Sequence, residues 1–459
     1  MNLTRRRFLT TAAVATLGFP ALVRARDLNS RLQVVAVGCD GKGFDDIKEI
    51  GSHRDVAFVG FCDVDAERFR HADAAFPGVP HHADFRAMFA QLGDRFDAAI
   101  VSTPDHMHAL PALTAMRLKK HVYLQKPLAH SVEEARRLRL EAARHGVRTQ
   151  MGNQIHSRSE YRTAVRLIQD GRIGKVTATH SWLTNKGNGY TKLATRPTPG
   201  PVPPGLAWDL WLGTAAARPY APNVYHPFNW RDWLDFGNGT LGDFGCHLLD
   251  PIFTALQLGA PTHVEAESTG LHAETWCEQE TVRWAFPPTP FTVKEGLTAH
   301  WYDGGRVPDI ALARMPAGRA LPPNGSLIIG EQGVLVLPHV GMPALYPEQT
   351  FGLNLSPGEL ARRQRRLAAG EKDDRTIASI QPMDHRNHYH DWVDAARGGP
   401  ETTANFAYAG PLTEAVLLGT VAARFSGQRL TWDAPGLRIA NHAEADRFVR
   451  KPYRDGWQP

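Results

Sequence analysis

Cysteine is scarce in this 459-residue chain, and its few cysteines are not paired in sequence. The four of them, Cys39, Cys62, Cys246 and Cys277, lie far apart, and no CxxC motif occurs. This spacing argues against a disulfide framework and a zinc knuckle, and it favours buried thiols. Internal repeats and low-complexity segments are also missing. A chain of this length is too long to fold around a single hydrophobic core, so two large domains are expected.

Acidic residues are missing from the first 25 positions, and no apolar run there is long enough to cross a bilayer. The segment from Thr4 to Leu9, TRRRFL, is a twin-arginine pattern. A weakly apolar stretch from Thr10 to Val23 follows, and Ala25 ends a small-residue cleavage site. We therefore expect residues 1–25 to be a twin-arginine signal peptide, and the mature protein to be periplasmic or exported without a membrane anchor.

The excess of positive charge is confined to that leader. Removing residues 1–25 takes away four arginines and no acid, which leaves +1 of the formal net charge of +5. The basic isoelectric point is therefore no argument for a nucleic-acid partner. The twin-arginine route carries folded proteins, which suits a cofactor that is loaded before export.

The first strand pattern, RLQVVAV at Arg31 to Val37, runs into GCDGKG and then a helix beginning near Phe44. Gly38 and Gly43 match the first and third glycines of the dinucleotide fingerprint GxGxxG, while Asp40 occupies the second position with Gly41 beside it. We predict that Asp40 faces solvent or pairs with Lys42, because an unpaired anion would repel the phosphates. A glycine turn between two structural strands is the alternative.

A second strand, Ala57 to Cys62, ends at Asp63. A carboxylate at this distance from the fingerprint accepts hydrogen bonds from an adenosine ribose and repels a 2′-phosphate. The pattern therefore predicts NAD rather than NADP.

Residues 98–130 contain a βαβ unit, with strands at Ala98 to Ser102 and Val122 to Leu124 around a helical pattern from Asp105 to Lys119. Ligands in such sheets lie outside the carboxyl ends of the strands. The residues delivered to that edge are Thr103, His106, His108, Gln125 and Lys126.

The predicted fold class is α/β with two domains. A capping box at Ser131 begins a helix that ends at Gly146, and a sixth parallel strand closes a Rossmann domain over residues 31–152. Residues 153–440 are expected to form an α+β domain with a large, mostly antiparallel open sheet, and residues 441–459 a tail. One face of that sheet is expected to pair subunits into a homodimer or homotetramer. Residues 186–207 are predicted to form a long loop.

The segment GDFGCH places Asp243 and His247 four residues apart on one helix face. A histidine there can take the proton of a carbinol hydroxyl as a hydride leaves, and the ammonium of Lys126 can stabilise the developing alkoxide. Two alternatives stay open. The histidine can be a core residue of a capped helix, or Asp243 and His247 can hold a metal with His385, His388 or His390.

Candidate substrate ligands surround that motif. Tryptophans 208, 211, 230 and 233 cluster before it, and one of them, with Trp230 as the candidate, is expected to stack on a sugar ring. Asn229 and Arg231 lie between them, and Asn153 and Gln154 follow a strand. All four are candidates to bind substrate hydroxyls.

Six segments together resemble the Gfo/Idh/MocA oxidoreductases, especially the exported, twin-arginine-signalled members. They are TPDHMH (103–108), KHVYLQKPLAHSVEEAR (120–136), QMGNQ (150–154), GDFGCHLLD (242–250), NFAYAGPLTEAVLLG (405–419) and YRDGW (453–457). Gln125 stands where the family more often has glutamate. The resemblance implies Lys126, Asp243 and His247 as the catalytic set. It also implies a cofactor site that includes Thr103, Pro104, His108, Gln125, Lys126 and Asn153.

The function predicted from the sequence is NAD-dependent oxidoreduction of a saccharide or cyclitol hydroxyl, with no metal. One alternative is a glycoside hydrolase or lyase that oxidises, eliminates and reduces again with bound NAD. A second is a protein that binds NAD or sugar without catalysis. The intact Lys126, Asp243 and His247 argue against the second.

Overall fold

The computed structural model describes residues 31–184, 195–352, 357–371 and 380–458. The predicted signal peptide therefore lies outside the described residues, as does the beginning of the loop predicted at 186–207. Where that loop is described, from 195 to 207, it contains no helix or strand, and Leu206 forms an isolated β-bridge with Asp65.

The first domain is built on a six-stranded sheet whose paired strands are all parallel, as predicted. Its spatial order is β3-β2-β1-β4-β5-β6, and β6 ends one residue before the predicted domain boundary. The strands are β1 (Leu32–Val37), β2 (Val56–Cys62), β3 (His81–His82), β4 (Ala98–Val101), β5 (His121–Leu124) and β6 (Thr149–Met151). The central strand β4 is buried throughout, because helices cover both faces of the sheet.

Helices connect these strands. They are α1 (Lys42–Gly51), α2 (Arg70–Ala75), α3 (Phe85–Leu92), α4 (Ala109–Arg117) and α5 (Val132–His145). Short 3₁₀ turns lie at Ala66–Phe69, Gly93–Arg95 and Asp105–Met107. The capping box of α5 is present, with Ser131 and Glu134 each accepting a backbone N–H of the other, and Gly146 ends the helix in a left-handed conformation. Both features agree with the sequence prediction.

The second domain is built on a nine-stranded sheet in the order β13-β12-β11-β7-β10-β9-β8-β14-β15. Strands β7 and β10 pair in parallel, and the other neighbours pair antiparallel. The strands are β7 (Val176–Leu183), β8 (His263–Thr269), β9 (Gln279–Phe286), β10 (Leu297–Tyr302), β11 (Asn324–Gly330), β12 (Val334–Pro338), β13 (Ala344–Tyr346), β14 (Arg429–Asp433) and β15 (Arg438–Ile439). The prediction of a largely antiparallel second sheet is confirmed.

The helices of this part are α6 (Ser159–Gln169), α7 (Trp208–Leu212), α8 (Gly239–Leu248), α9 (Asp250–Leu256), α10 (Glu348–Phe351), α11 (Pro357–Ala368), α12 (His388–Ala396), α13 (Phe406–Ala423) and α14 (Ala443–Asp446). Further 3₁₀ turns lie at Gln154–Ser157, Asn229–Asp232, Ile310–Ala313 and Arg447–Val449.

Helix α13 is apolar and long enough to cross a membrane by length and composition, yet 83% of it is buried inside the fold. It packs between α5 of the first domain and β8 of the second. Arg136 of α5 pairs with Glu414, and the indole of Trp284 donates to the carbonyl of Ala415 at 2.9 Å. These contacts identify α13 as a core helix that holds the two domains together.

The chain between β7 and α8 returns to the first domain. The amide of Ala207 donates to the carbonyl of Val64 at 2.7 Å, and the amide of Ala66 donates to that of Gly205 at 3.0 Å. His226 lies 2.7 Å from a carboxylate oxygen of Asp65. These contacts fix residues 205–233 over the carboxyl end of β2 and lead directly into α8, which carries Asp243 and His247.

Candidate active site between the two domains

A cavity of about 580 Å³ lies outside the carboxyl ends of β1, β2, β4 and β5, where the first domain meets α8. Both domains line it. The predicted site residues among its walls are Gly38, Gly41, Gly43, Asp63, Thr103, Pro104, His108, Gln125, Lys126, Gln154, Trp230, Arg231, Asp243 and His247.

The glycine loop after β1 has the geometry of a dinucleotide fingerprint. A Cβ on Gly38 would lie 2.4 Å from the carbonyl oxygen of Ser102, and one on Gly43 would lie 2.3 Å from that of Gly38. Gly41, which caps the N-terminus of α1, has no neighbouring atom within 4 Å of its Cβ position. The loop is therefore tightly packed at Gly38 and Gly43 and open at Gly41, as backbone that receives a pyrophosphate must be.

Asp40 is tied to Arg68, whose guanidinium lies 2.9 Å from its carboxylate. The prediction that Asp40 faces solvent or pairs with Lys42 is therefore wrong. Lys42 instead pairs with Asp46, one turn along α1, at 2.5 Å. Burial opposes ionisation of Asp40, but the Gly41 N–H and Arg68 lower its pKa. The negative charge beside the loop is thus neutralised by an arginine 28 residues away in sequence.

Asp63 follows β2, as predicted, and its carboxylate accepts the amides of Cys39 at 2.9 Å and Asp65 at 3.1 Å. Burial raises its pKa to about 6, so the group is ionised at neutral pH. A carboxylate accepts about four hydrogen bonds, so Asp63 retains capacity for ribose hydroxyls. Together with the loop, these residues fit the adenosine and pyrophosphate of NAD.

Gln125, at the position where glutamate is more usual, donates its amide to Asp46 at 2.7 Å. Ser102 donates to the same oxygen at 2.8 Å. Asp46 is fully buried, and burial raises its pKa although Lys42 counteracts the shift. A carboxylate is therefore still present beside position 125, but α1 supplies it.

Lys126 and Asp243 meet across the domain boundary. The ammonium donates to the Asp243 carboxylate and, at 2.7 Å, to the Asp243 carbonyl. Arg231 lies 3.6 Å from the other carboxylate oxygen. Burial opposes ionisation of Asp243, but Lys126 and Arg231 hold its pKa well below its usual range. The carboxylate stays charged in a buried place because two cations flank it.

His247 lies one turn after Asp243 on α8 and is 8% exposed. Burial and the neighbouring Lys126 and His339 lower its pKa well below 6.5, so the imidazole is neutral. Its Nδ1 has no hydrogen-bond partner within the part of the chain that the structure describes. The ring lines the cavity, and an uncharged imidazole there can exchange a proton with a ligand.

Asp105 is a cavity residue that the sequence reasoning did not select. It is 4% exposed, and one oxygen accepts both the amide and the side-chain N–H of Asn238, at 3.1 and 3.0 Å. Burial and the charge of Asp243 raise its pKa to about 7. Its place in TPDHMH, directly after Pro104, was the available signal, because a carboxylate there follows β4 at the ligand edge.

Thr103, Pro104 and His108 lie where they were predicted, at the carboxyl end of β4. His108 lies between the carbonyls of Thr103 (2.8 Å) and Pro127 (2.7 Å), and burial lowers its pKa to about 4. The neutral ring can donate to only one of these carbonyls. It therefore fixes the loop beside Lys126 rather than carrying charge to a ligand.

Asn153 does not line the cavity, so its predicted placement as a cofactor and substrate ligand is wrong. The side chain is fully buried and donates to Asp250 at 2.8 Å, because the 3₁₀ turn that follows β6 directs it into the interior. The next residue, Gln154, does reach the cavity.

Trp230 lines the cavity and carries the guanidinium of Arg231 over its ring at 4.3 Å. Phe228 lies on the same guanidinium at 4.1 Å. Trp211 also reaches the cavity, whereas Trp233 is fully buried. The aromatic pair thus holds Arg231 toward Asp243.

His388, named above as a possible metal ligand, is buried. Its ring nitrogens lie 2.8 Å from the carbonyl of Met151 and 2.9 Å from the hydroxyl of Ser157. Helix α12 packs on α1 of the first domain. Among the described residues, no group of three or more His, Cys, Asp or Glu side chains is placed to hold a metal ion.

Two sequence models match the chain. The model described as "Oxidoreductase family, NAD-binding Rossmann fold" matches residues 32–153, and the model described as "Oxidoreductase family, C-terminal alpha/beta domain" matches residues 172–288. Both are Gfo/Idh/MocA models. Together they include β1 to β6, α8 and most of the cavity.

Curated relatives match over shorter lengths. Inositol 2-dehydrogenase 2 of Saccharopolyspora erythraea is 31% identical over 160 residues, which are 34% of this chain and 46% of that protein. A glycosyl hydrolase family 109 protein of the same organism is 33% identical over 131 residues, 26% of this chain and 28% of that protein. The chain thus spans less than half the length of these relatives.

A solved structure shows the same fold. The WlbA dehydrogenase from Bordetella pertussis, in complex with NADH and UDP-GlcNAcA, superposes with a TM-score of 0.59 at 17% identity. The superposition covers 88% of this chain and 98% of that one.

Proposed function

Because the chain belongs to the Gfo/Idh/MocA oxidoreductase family, we propose that it is an NAD-dependent oxidoreductase acting on a sugar or cyclitol hydroxyl. The observation that carries the proposal is the contact of Lys126 with Asp243 across the domain boundary, beside a neutral His247. This arrangement combines a cation, an anion and a proton acceptor at one wall of a cavity whose other wall fits a dinucleotide.

NAD, when bound, supplies the hydride acceptor. His247 takes the proton of the substrate hydroxyl, since a neutral imidazole is a competent general base. The charge of Asp243 then stabilises the imidazolium, because the carboxylate lies one helical turn away and stays ionised.

Lys126 orients the hydroxyl and stabilises its developing negative charge. An ammonium has three donors, and the carbonyl and carboxylate of Asp243 accept two of them. These two contacts fix the direction of the third N–H, which is left for the substrate hydroxyl. A cation fixed in this way stabilises charge without having to reorganise during the reaction.

The substrate class is inferred from the other cavity walls and from the relatives. Arg231, Trp230 and Gln154 offer hydrogen-bond donors and one indole face, which suit a polyhydroxylated ring. Inositol 2-dehydrogenase 2 acts, by its name, on a cyclitol. A saccharide or cyclitol is accordingly the proposed substrate.

A second candidate function is net glycosidic cleavage, in which bound NAD is reduced and reoxidised within one turnover. The similarity to a glycosyl hydrolase family 109 protein favours it. Both candidates use the same His247 and Lys126, so the distinction lies in the products.

The decisive experiment analyses the purified protein in two steps. Denaturation and chromatography of the supernatant should release NAD(H), and a protein that neither contains nor binds it would contradict the proposal. The native protein is then tested on free sugars, inositols and aryl glycosides. Ketone formation with NADH supports the oxidoreductase, whereas release of aglycone without net NADH supports the hydrolase.

Export through the twin-arginine route and pairing of subunits through the open face of the nine-stranded sheet are further parts of the proposal. Fractionation of expressing cells tests the first. Light scattering of the mature protein, with charge substitutions on β9, tests the second.

A further inference from the structure

Residues 450–458, here called the strap, cross the first domain. Lys451 pairs with the buried carboxylate of Glu134 at 2.9 Å and donates to the carbonyl of His106 at 2.8 Å. Tyr453 donates to the same carboxylate at 2.7 Å. These contacts attach the beginning of the strap to α5 and to the turn after β4.

The strap is next attached to the segment between β7 and α8. Arg454 donates to the carbonyls of Gly213 at 3.0 Å and Asp209 at 2.8 Å, and it pairs with the Asp209 carboxylate. The amide of Arg454 donates to the carbonyl of Thr214 at 3.2 Å. The strap therefore connects the turn after β4 with residues 209–214, and both of these segments border the cavity.

The strap ends in Trp457, which is 6% exposed and lines the cavity. The guanidinium of Arg86 lies 4.0 Å over its ring, and that of Arg454 lies 5.4 Å from the ring centroid. Asp84 holds Arg86 with bonds of 2.7 to 3.1 Å. The indole is thus clamped in one place at the beginning of α3.

The order of strands shows which end of the cavity Trp457 borders. The glycine loop follows the central strand β1, and Lys126 follows β5 on one side of it. Asp63 follows β2, and Asp84 and Phe85 follow β3, on the opposite side. A dinucleotide with its pyrophosphate at the loop and its reactive ring near Lys126 must place its adenosine toward β2 and β3, where Trp457 lies.

We propose that Trp457 is an adenine-binding residue, and that the strap retains the dinucleotide by closing the adenosine end of the cavity. Neither matching family model extends to this segment. An indole wall suits a purine because base–aromatic contact is favourable without requiring specific hydrogen bonds. The inference rests on the proposed function, since it concerns the cofactor of that reaction.

The test compares nucleotide binding of the full chain with that of three variants. Trp457→Ala should speed NADH release and weaken AMP binding, each by about 5- to 100-fold, while nicotinamide mononucleotide binding stays unchanged. Trp457→Phe should retain most of the affinity. Arg450→Ala is the matched control, because this strap residue pairs with Glu133 at 3.7 Å and does not line the cavity.

Each outcome is informative, because release and binding are measured separately from turnover. Equal weakening of AMP and nicotinamide mononucleotide would overturn the inference, as would unchanged AMP binding in Trp457→Ala. If Trp457→Ala fails to fold by circular dichroism, Arg86→Ala, which releases the clamp and keeps the indole, should weaken AMP selectively, and unchanged affinity there would also overturn it. Failure of the unaltered protein to bind NAD would instead contradict the proposed function.

Discussion

The two ends of the cavity manage charge in different ways. At the substrate end, Lys126, Asp243 and Arg231 contact one another directly across the domain boundary. At the nucleotide end, Asp40 and Asp46 are each neutralised within the first domain, by Arg68 and Lys42. The charge pairing of the substrate end thus depends on the correct meeting of two domains, whereas that of the nucleotide end lies within the first domain.

This difference suits the two tasks. A phosphate site needs exposed backbone N–H groups and no competing anion, so nearby carboxylates must be paired before the ligand arrives. A hydride-transfer site needs charges that respond to a proton moving at His247, so its ions must be close to the reacting atoms. Substitutions should therefore affect catalysis at one end and binding at the other.

The largest effect is expected at the substrate end. Lys126→Ala and His247→Ala should each reduce hydride transfer by about 10²- to 10⁴-fold while NAD remains bound, because a general base and a fixed cation contribute factors of this size. The losses should be non-additive in the double variant, since both groups serve one transition state. Single-turnover reduction of bound NAD measures this, with the exposed Lys294→Ala as control. Near-normal transfer in His247→Ala would move the base to another residue.

A second effect concerns Asp46 and Gln125, which connect the two ends. Gln125→Glu should lower the free energy of unfolding by about 1–3 kcal/mol, because it replaces an amide donor with a second carboxylate beside buried Asp46. Adding Asp46→Asn should restore most of the loss, since an amide donor is then present again. Urea unfolding of the four proteins measures the coupling. A double variant no more stable than Gln125→Glu would show that Lys42 pairing dominates.

The third prediction concerns the ribose at the nucleotide end. Asp63→Asn should weaken NAD by about tenfold, the size of one charged hydrogen bond, and should weaken NADP less or improve it, because the charge that repels a 2′-phosphate is lost. The asparagine oxygen can still accept the amide of Cys39, so the loop keeps its support. Asp63→Ala, which also removes that acceptor, should weaken both. Titration by calorimetry checks the ratio, and equal losses in Asp63→Asn would contradict the ribose role.

The fourth prediction is a pH dependence at the substrate end. The pKa of Asp105 is raised to about 7 in the folded chain, above the value of about 4 for an unfolded aspartate. Between these two pH values the folded state therefore binds a proton at Asp105 that the unfolded state has lost. The stability that Asp105 contributes falls as the pH rises from about 4 to about 7. Asp105→Asn should make the free energy of unfolding depend less on pH. A smaller dependence of the same sign should remain, because the pKa of Asp63 is also raised. An unchanged slope between pH 4 and 7 in urea titrations would contradict the assignment.

The same contrast explains how much the sequence could predict. Most of the parallel strands follow from short apolar runs, and the glycine loop follows from its spacing, because these signals are local. Strand β3 gave no such signal, since it is only the pair His81–His82. Lys126 and Asp243 could be expected at one cleft because each lies in a recognisable motif at a strand or helix end. The fold and the members of the site were therefore predictable in large part.

The pairing of charges was not predictable, because it depends on the angle of each side chain. Nothing local indicates that Asp40 meets Arg68 rather than Lys42, or that Gln125 meets Asp46. Asn153 was misplaced for the same reason, since the turn after β6 directs its amide to Asp250 and leaves only Gln154 at the cavity. Asp105 was missed because burial, which raises its pKa, is a tertiary property.

The smallest effect is expected for Asp40→Gly, at the second position of the fingerprint. The carboxylate is already paired with Arg68, so its repulsion of a pyrophosphate is weak, and Arg68 keeps a second partner in Asp65 at 3.0 Å. Removing one screened charge near the surface changes binding by about 1 kcal/mol at most. NAD affinity should therefore stay within about fivefold or improve, and Asp94→Asn, an exposed charge on the same domain, serves as control. A loss of tenfold or more would show that Asp40 itself contacts the nucleotide, and that the nucleotide end also uses a charged side chain at its centre.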